Sequence, residues 1–216
     1  DTGTIKSKNG EFLVKDTKKT PQGIFIHFGK LISGSINVGE EVDIFIDEER
    51  RSLIMKNHSA THLLHAALRN TLGKHVAQRG SLVNSEKLRF DFSHNKQLSH
   101  DDINKIQDEV NSVIKTSSKS NIEIKSQEDA IKAGAIALFG EKYGDEVRVV
   151  TLGSKNGNPY SIELCGGTHV NDVTEINKFL IINEESVSSG VRRIEALTFK
   201  KVDEYLSLRS KEKEKL

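Results

Sequence analysis

Residues 57–69 read Asn57-His58-Ser59-Ala60-Thr61-His62-Leu63-Leu64-His65-Ala66-Ala67-Leu68-Arg69, and the architecture is organised around this stretch. At the angular step of an α-helix, His58, Thr61, His62, His65 and Arg69 fall within an arc of about 100°. Ala60, Leu63, Leu64, Ala67 and Leu68 take the opposite side. The pattern predicts a helix from Ser52 to Leu72, stopped at Gly73, with one face in a core and a histidine-rich stripe on the other. Residues four apart share a helix face, so His58 and His62 can grip one ion. A second half-site stands far along the chain in Cys165-Gly166-Gly167-Thr168-His169, where two glycines let the backbone fold tightly enough for thiolate and imidazole to converge. Together the two stretches supply one sulfur and three imidazoles, the donor set of a tetrahedral zinc ion.

Before the helix, Glu11–Lys15, Gly23–Phe28, Ser35–Asn37 and Glu41–Ile46 are short β-rich runs separated by Asn9-Gly10, Pro21-Gln22-Gly23, Ser33-Gly34 and Gly39. Short strands with frequent turns predict a small β-barrel, with the charged stretch Asp47–Arg51 as its boundary. After the helix, Leu88–Ser93 alternates as a strand with one buried face. Ser99 with Asp102 forms a capping pair ahead of Ile103, Ile106, Val110, Val113 and Ile114, a second helix. Ser126 with Asp129 opens a third, through Ala130, Ile131, Ala133, Ala137 and Leu138 to near Gly140. Strands are expected at Val147–Leu152, Ser161–Leu164, Lys178–Ile182 and Arg192–Thr198. From Phe199 the chain reads as a charged helix with a thin stripe of Val202, Tyr205 and Leu206.

With 216 residues, 35% hydrophobic and 29% charged, the chain has room for one large or two modest cores. No run is long and apolar enough for a membrane span, and the N-terminus shows no signal-peptide pattern. A single cysteine excludes an internal disulfide and fits a reducing compartment. The net charge of +1 is no signature of nucleic-acid binding, so any such surface must be local, as at Lys18-Lys19, Arg192-Arg193 or Lys200-Lys201. The start at Asp1-Thr2-Gly3 and the charged C-terminal run read as a piece of a longer protein.

Four protein donors are formally those of a closed structural site, whereas a catalytic zinc keeps three and a water. Thr61, His65, Arg69 and Gln78-Arg79-Gly80-Ser81 add hydrogen-bonding groups with no core role, which favours a substrate pocket. Cys165 as a nucleophile with His169 as its base is a competing chemistry; the paired histidines elsewhere favour metal ligation.

The helix stretch Asn57–Arg69 is similar to the signature helix of the alanyl-tRNA synthetase editing domain. Val76–Ser81, Leu88–His94, Ala137–Asp145, Glu163–Val170 and Gly190–Ala196 resemble the same family in the same order, covering essentially the whole chain. Ser188-Ser189 and Val173-Thr174-Glu175 depart from the family pattern without touching the candidate ligands. The resemblance implies an α+β fold: a small N-terminal β-barrel (1–50), an aminoacyl-tRNA editing domain shared with threonyl-tRNA synthetase (51–198), and the start of a linker helix (199–216). It implies Zn2+ held by His58, His62, Cys165 and His169. Thr61, Gln78 and Cys165 are then the catalytic candidates, and Arg69, Arg79, Arg192 and Arg193 would grip tRNA phosphates. The implied partners are tRNA(Ala) misacylated with serine or glycine and the rest of the synthetase in cis, in the cytoplasm. The implied reaction is ester hydrolysis without alanine activation; a free-standing editing deacylase and a non-catalytic tRNA-binding zinc module are the alternatives.

Overall fold

A computed structural model describes residues 1–137 and 144–213 and divides into two compact units, Asp1–Ser52 and Leu53–Leu216. The fold is mixed α+β, and all its strand ladders are antiparallel.

The first unit holds β1 (Gly3–Lys6), β2 (Gly10–Lys19), β3 (Phe25–Gly34) and β4 (Asp43–Ile46), in the sheet order β3-β2-β1-β4. Ser7 Oγ accepts the amides of Asn9 and Gly10 in the β1–β2 turn. Gly34 sits at φ +63°, where an added Cβ would strike the Asn9 carbonyl, so this crossing requires glycine. The expected barrel is not closed. Among the described residues no ladder joins β3 to β4, the two ends of the sheet. Four strands, two of four residues and two of ten, are too few and too unequal to curl until their edges meet. Ser35–Asn37, expected as a strand, is irregular, whereas Gly3–Lys6 is a strand that the pattern reading passed over.

Helix α1 spans Glu48–Leu72. It starts four residues earlier than its apolar periodicity indicates because Asp47 caps it, accepting the Arg50 amide at 3.0 Å. From Leu53 onward it belongs to the second unit, where it is buried on nearly every side. Ala60, Leu63, Leu64, Ala67 and Leu68 pack in one core with Phe90, Phe92, Ile106, Val110, Leu152 and Ile194. The polar stripe is buried as well: Thr61, His62 and His65, with the neighbouring Ser59, are all at most 5% exposed.

Two sheets flank this helix's unit. One has the order β10-β11-β6-β5, from β5 (Gln78–Val83), β6 (Leu88–Ser93), β10 (Phe179–Ser188) and β11 (Val191–Thr198). The other is β7-β8-β9, from β7 (Asn121–Ser126), β8 (Glu146–Lys155) and β9 (Asn158–Leu164). Strand β6 occupies the residues its alternation predicts; β5 and β7 are additional. Helix α2 (His100–Ile114) begins with both arms of the Ser99–Asp102 capping box in place. The Ser126–Asp129 cap opens α3 as expected, but α3 is only Gln127–Lys132. Ala133 caps it and Gly134 turns at φ +85°, ending the helix early. Leu138 and Gly140, the expected continuation, lie outside the described residues. Helix α4 covers Lys200–Lys213 and buries Val202. No helix among the described residues is long and apolar enough to cross a membrane.

Candidate metal centre

The two half-sites meet. His58 and His62 come from α1, and Cys165 and His169 from the loop leaving β9; one ligand atom of each lies within 4.8 Å of all the others. Cys165 Sγ is 3.5 Å from His58 Nε2 and 3.4 Å from His169 Nε2. Standard zinc–sulfur and zinc–nitrogen bonds at tetrahedral angles place such atoms roughly 3.6 Å apart.

Each imidazole is held from its far side. His58 Nδ1 is 3.1 Å from the Thr168 carbonyl and His62 Nδ1 is 2.7 Å from Glu163 Oε2. Both partners only accept, so Nδ1 donates and Nε2 carries the lone pair toward the cluster. His169 Nδ1 meets Ser59 Oγ at 3.2 Å, and the same hydroxyl accepts the Val170 amide. Nε2 of His62 is buried and has no hydrogen-bond partner. An orphaned lone pair facing a thiolate and two imidazoles is what a soft or borderline divalent cation satisfies, so the donor set fits zinc.

The loop is built for this approach. A Cβ on Gly167 would stand 2.3 Å from His58 Cε1, so only glycine lets the backbone lie against the ring. Arg148 on β8 reaches the carbonyls of Cys165 and Gly167 through one guanidinium nitrogen, each at 2.7 Å, and pins the turn. Protons feel the same geometry. Burial pushes the Cys165 thiol up, but its contacts with His169 and His58 and the charge at His62 bring it down to about 3. Burial lowers His169 to about 4, leaving it neutral. For His62 burial disfavours the cation, yet Glu163 and the Cys165 thiolate raise it to about 10. A thiolate and neutral imidazole are the ligating forms, and the pull on His62 marks a spot where positive charge is favoured.

Beside the donors lies a cavity of about 270 Å3 lined by Thr61, Gln78, Ser81 and Phe90 together with His58, His62 and Cys165. Thr61 Oγ1 donates to the Asn57 carbonyl at 2.8 Å, which leaves its oxygen free only to accept. The four arginines expected to grip tRNA phosphates are not in the lining of this cavity. Arg192 forms a two-pronged pair with Glu184 and Arg193 with Asp91, while Arg69 donates to the carbonyls of Lys74 and Val76. Arg79 is exposed on β5.

Residues 147–195 match the threonyl and alanyl tRNA synthetase second additional domain. Over 211 residues the chain is 49% identical to an alanine–tRNA ligase of Chelativorans sp. (strain BNC1), covering 95% of this chain and 24% of that protein. The chain matches a segment of alanyl-tRNA synthetases. A second relative, from Rhizobium johnstonii, gives 49% over 212 residues with 96% and 24% coverage. The chain therefore spans about a quarter of the length of the curated relatives it matches. The second-additional-domain match contains Cys165 and His169 but not the α1 half-site. Sequence reading missed Glu163, Ser59 and Arg148, which orient the ligands. The available signal was an acid set between two apolar residues, Ile162-Glu163-Leu164.

Proposed function

We propose that this synthetase segment is an editing deacylase, hydrolysing the ester that joins serine or glycine to the 3′ end of tRNA(Ala). The observation that carries the reading is the juxtaposition of a four-donor metal group with a small polar cavity. A pocket sized for alanine cannot strongly reject an analogue that adds one hydroxyl, so accuracy requires a second site that favours it.

Within the cavity, the acceptor-only Thr61 oxygen can take the hydrogen of a seryl hydroxyl, and alanine leaves it unpaired. Gln78 and Ser81 add donors and acceptors to the lining, suited to hold the amino group and ester. Phe90 supplies an apolar part of the lining. His58, His62, Cys165 and His169 would hold zinc, which when bound supplies Lewis-acid polarisation or anchorage of polar substrate groups. The Cys165 thiolate is engaged by His58 and His169, which favours ligation over attack on the ester.

Four protein donors are also the mark of a closed structural site, and this favours the second reading, a tRNA-binding zinc module without catalysis. A deacylation assay with seryl-, glycyl- and alanyl-tRNA(Ala), with and without a chelator, decides between them. Release of serine well ahead of alanine, lost on chelation, supports the editing reading; equal slow release from all three refutes it.

A further inference from the structure

Glu163 is 2% exposed, yet it is not among the four donors. Its two oxygens are taken by two histidines of the same helix: Oε2 by His62 Nδ1 at 2.7 Å, and Oε1 by His65 Nδ1 at 3.0 Å. Ser161 Oγ adds a longer contact to Oε1 at 3.3 Å. His65 is itself 2% exposed, its ring tilted 44° to that of Phe90, and it does not line the cavity beside the donors.

We propose that Glu163, braced by His65, is the positioning residue of the metal centre, fixing the imidazole of His62 so that Nε2 faces the other three donors. This role rests on the metal reading of those donors. A carboxylate can only accept, so His62 must donate from Nδ1, and the ring is left with one tautomer and one orientation. A single contact would leave the carboxylate free to rotate about its last bond and enter the donor group itself. His65 prevents that by holding the second oxygen. His65 lies three residues beyond His62 on α1, so the helix sets both imidazoles at neighbouring heights against one strand residue. Charge follows the same plan. One half-buried thiolate and one buried carboxylate together balance a divalent cation, and the carboxylate does so without being one of the four donors.

The test is zinc affinity of the 216-residue chain, measured by competition with a chromophoric chelator, with cobalt(II) absorption as a second readout. Glu163→Gln keeps the shape and removes the charge; it should weaken zinc by about 10–100-fold and alter the visible bands of the cobalt form. His65→Leu frees Oε1 and should weaken zinc by at least about threefold, while His65→Asn, which restores a donor at the Nδ1 position, should recover wild-type affinity within about twofold. Equal affinity in Glu163→Gln and wild type, with an unchanged cobalt spectrum, overturns the proposal. So does loss in His65→Asn equal to that in His65→Leu, because only packing would then matter. If Glu163→Gln fails to fold, the His65 pair decides. A wild-type chain that takes up no zinc overturns the metal reading itself, a result distinct from zinc uptake indifferent to Glu163.

Discussion

The two units of this chain handle apolar side chains in opposite ways. In Asp1–Ser52, Val14 is the one buried large hydrophobic among the described residues, while Phe25, Ile44 and Phe45 are 62%, 58% and 53% exposed. In the second unit, Leu63, Leu64, Phe90, Phe92 and Ile194 are fully buried in one cluster. The difference is one of layers. A sheet needs a second layer against its apolar face, and α1 and α2 provide that layer in the second unit alone. A metal centre with donors from a helix and a distant loop needs such a frame, because errors of a few tenths of an ångström cost ligand geometry.

The largest effects are expected at the donors. Cys165→Ala or His62→Ala should abolish stoichiometric zinc uptake and reduce serine release from seryl-tRNA(Ala) by at least about a hundredfold. Phe45→Ser in the first unit should leave both within about twofold, as expected of an exposed side chain. Comparable losses at Phe45 would break the contrast between the units. Next in size is the core beneath the donors. Leu63→Ala removes a fully buried side chain and should cost about 2–5 kcal/mol in urea unfolding. A cost under about 1 kcal/mol would mean that the cluster is loosely packed.

How much of this was legible beforehand differs between the same two regions. The donors were readable because metal chemistry restricts both residue type and spacing, and the capping box of α2 and the alternation of β6 were equally explicit. The early end of α3 at Lys132 was not, because Ala130, Ile131 and Ala133 continue a helical pattern and the turn at Gly134 is decided by its conformation. Strand β7, Asn121–Ser126, was missed although Ile122 and Ile124 alternate with Glu123 and Lys125, because only two apolar residues carry the pattern. Sheet closure was illegible for a deeper reason. Turn spacing shows how many strands there are, but whether two end strands pair depends on twist and register, which alternation does not encode. The ligand-orienting residues were hidden because Glu163 and Ser59 act through partners about a hundred positions away.

A polar junction tests the second unit's frame at intermediate size. Glu109 on α2 accepts from Asn70 of α1 at 2.8 Å and from Tyr160 of β9 at 2.9 Å, and pairs with Lys155 of β8 at 3.1 Å. Burial alone would raise its carboxyl, but these donors lower it below the usual 4.5. A depressed carboxylate contributes stability that is complete above its unfolded value and is lost as pH falls through its folded value. Glu109→Gln should therefore cost about 1–2 kcal/mol at neutral pH, and the gap from wild type should close as the solution is acidified below about pH 4. A gap that stays constant with pH would assign the loss to packing.

The smallest effect is expected where the first unit resembles a core in composition alone. Ile44 pairs across the sheet with Ile5 and belongs to an apolar run, Ile44-Phe45-Ile46, that in a buried strand would be costly to interrupt. More than half of its surface is already in water, however, so Ile44→Thr forfeits little burial, and threonine keeps the β-branched shape that suits a strand. At roughly 25 cal/mol per Å2 the expected cost is under about 0.7 kcal/mol by urea unfolding. Hydrogen exchange checks the same contrast without substitution: amides of β6 and the middle of α1 should exchange far more slowly than those of β4. A penalty of several kcal/mol at Ile44, or protection of β4 equal to that of β6, would show that the sheet's apolar face is covered in solution.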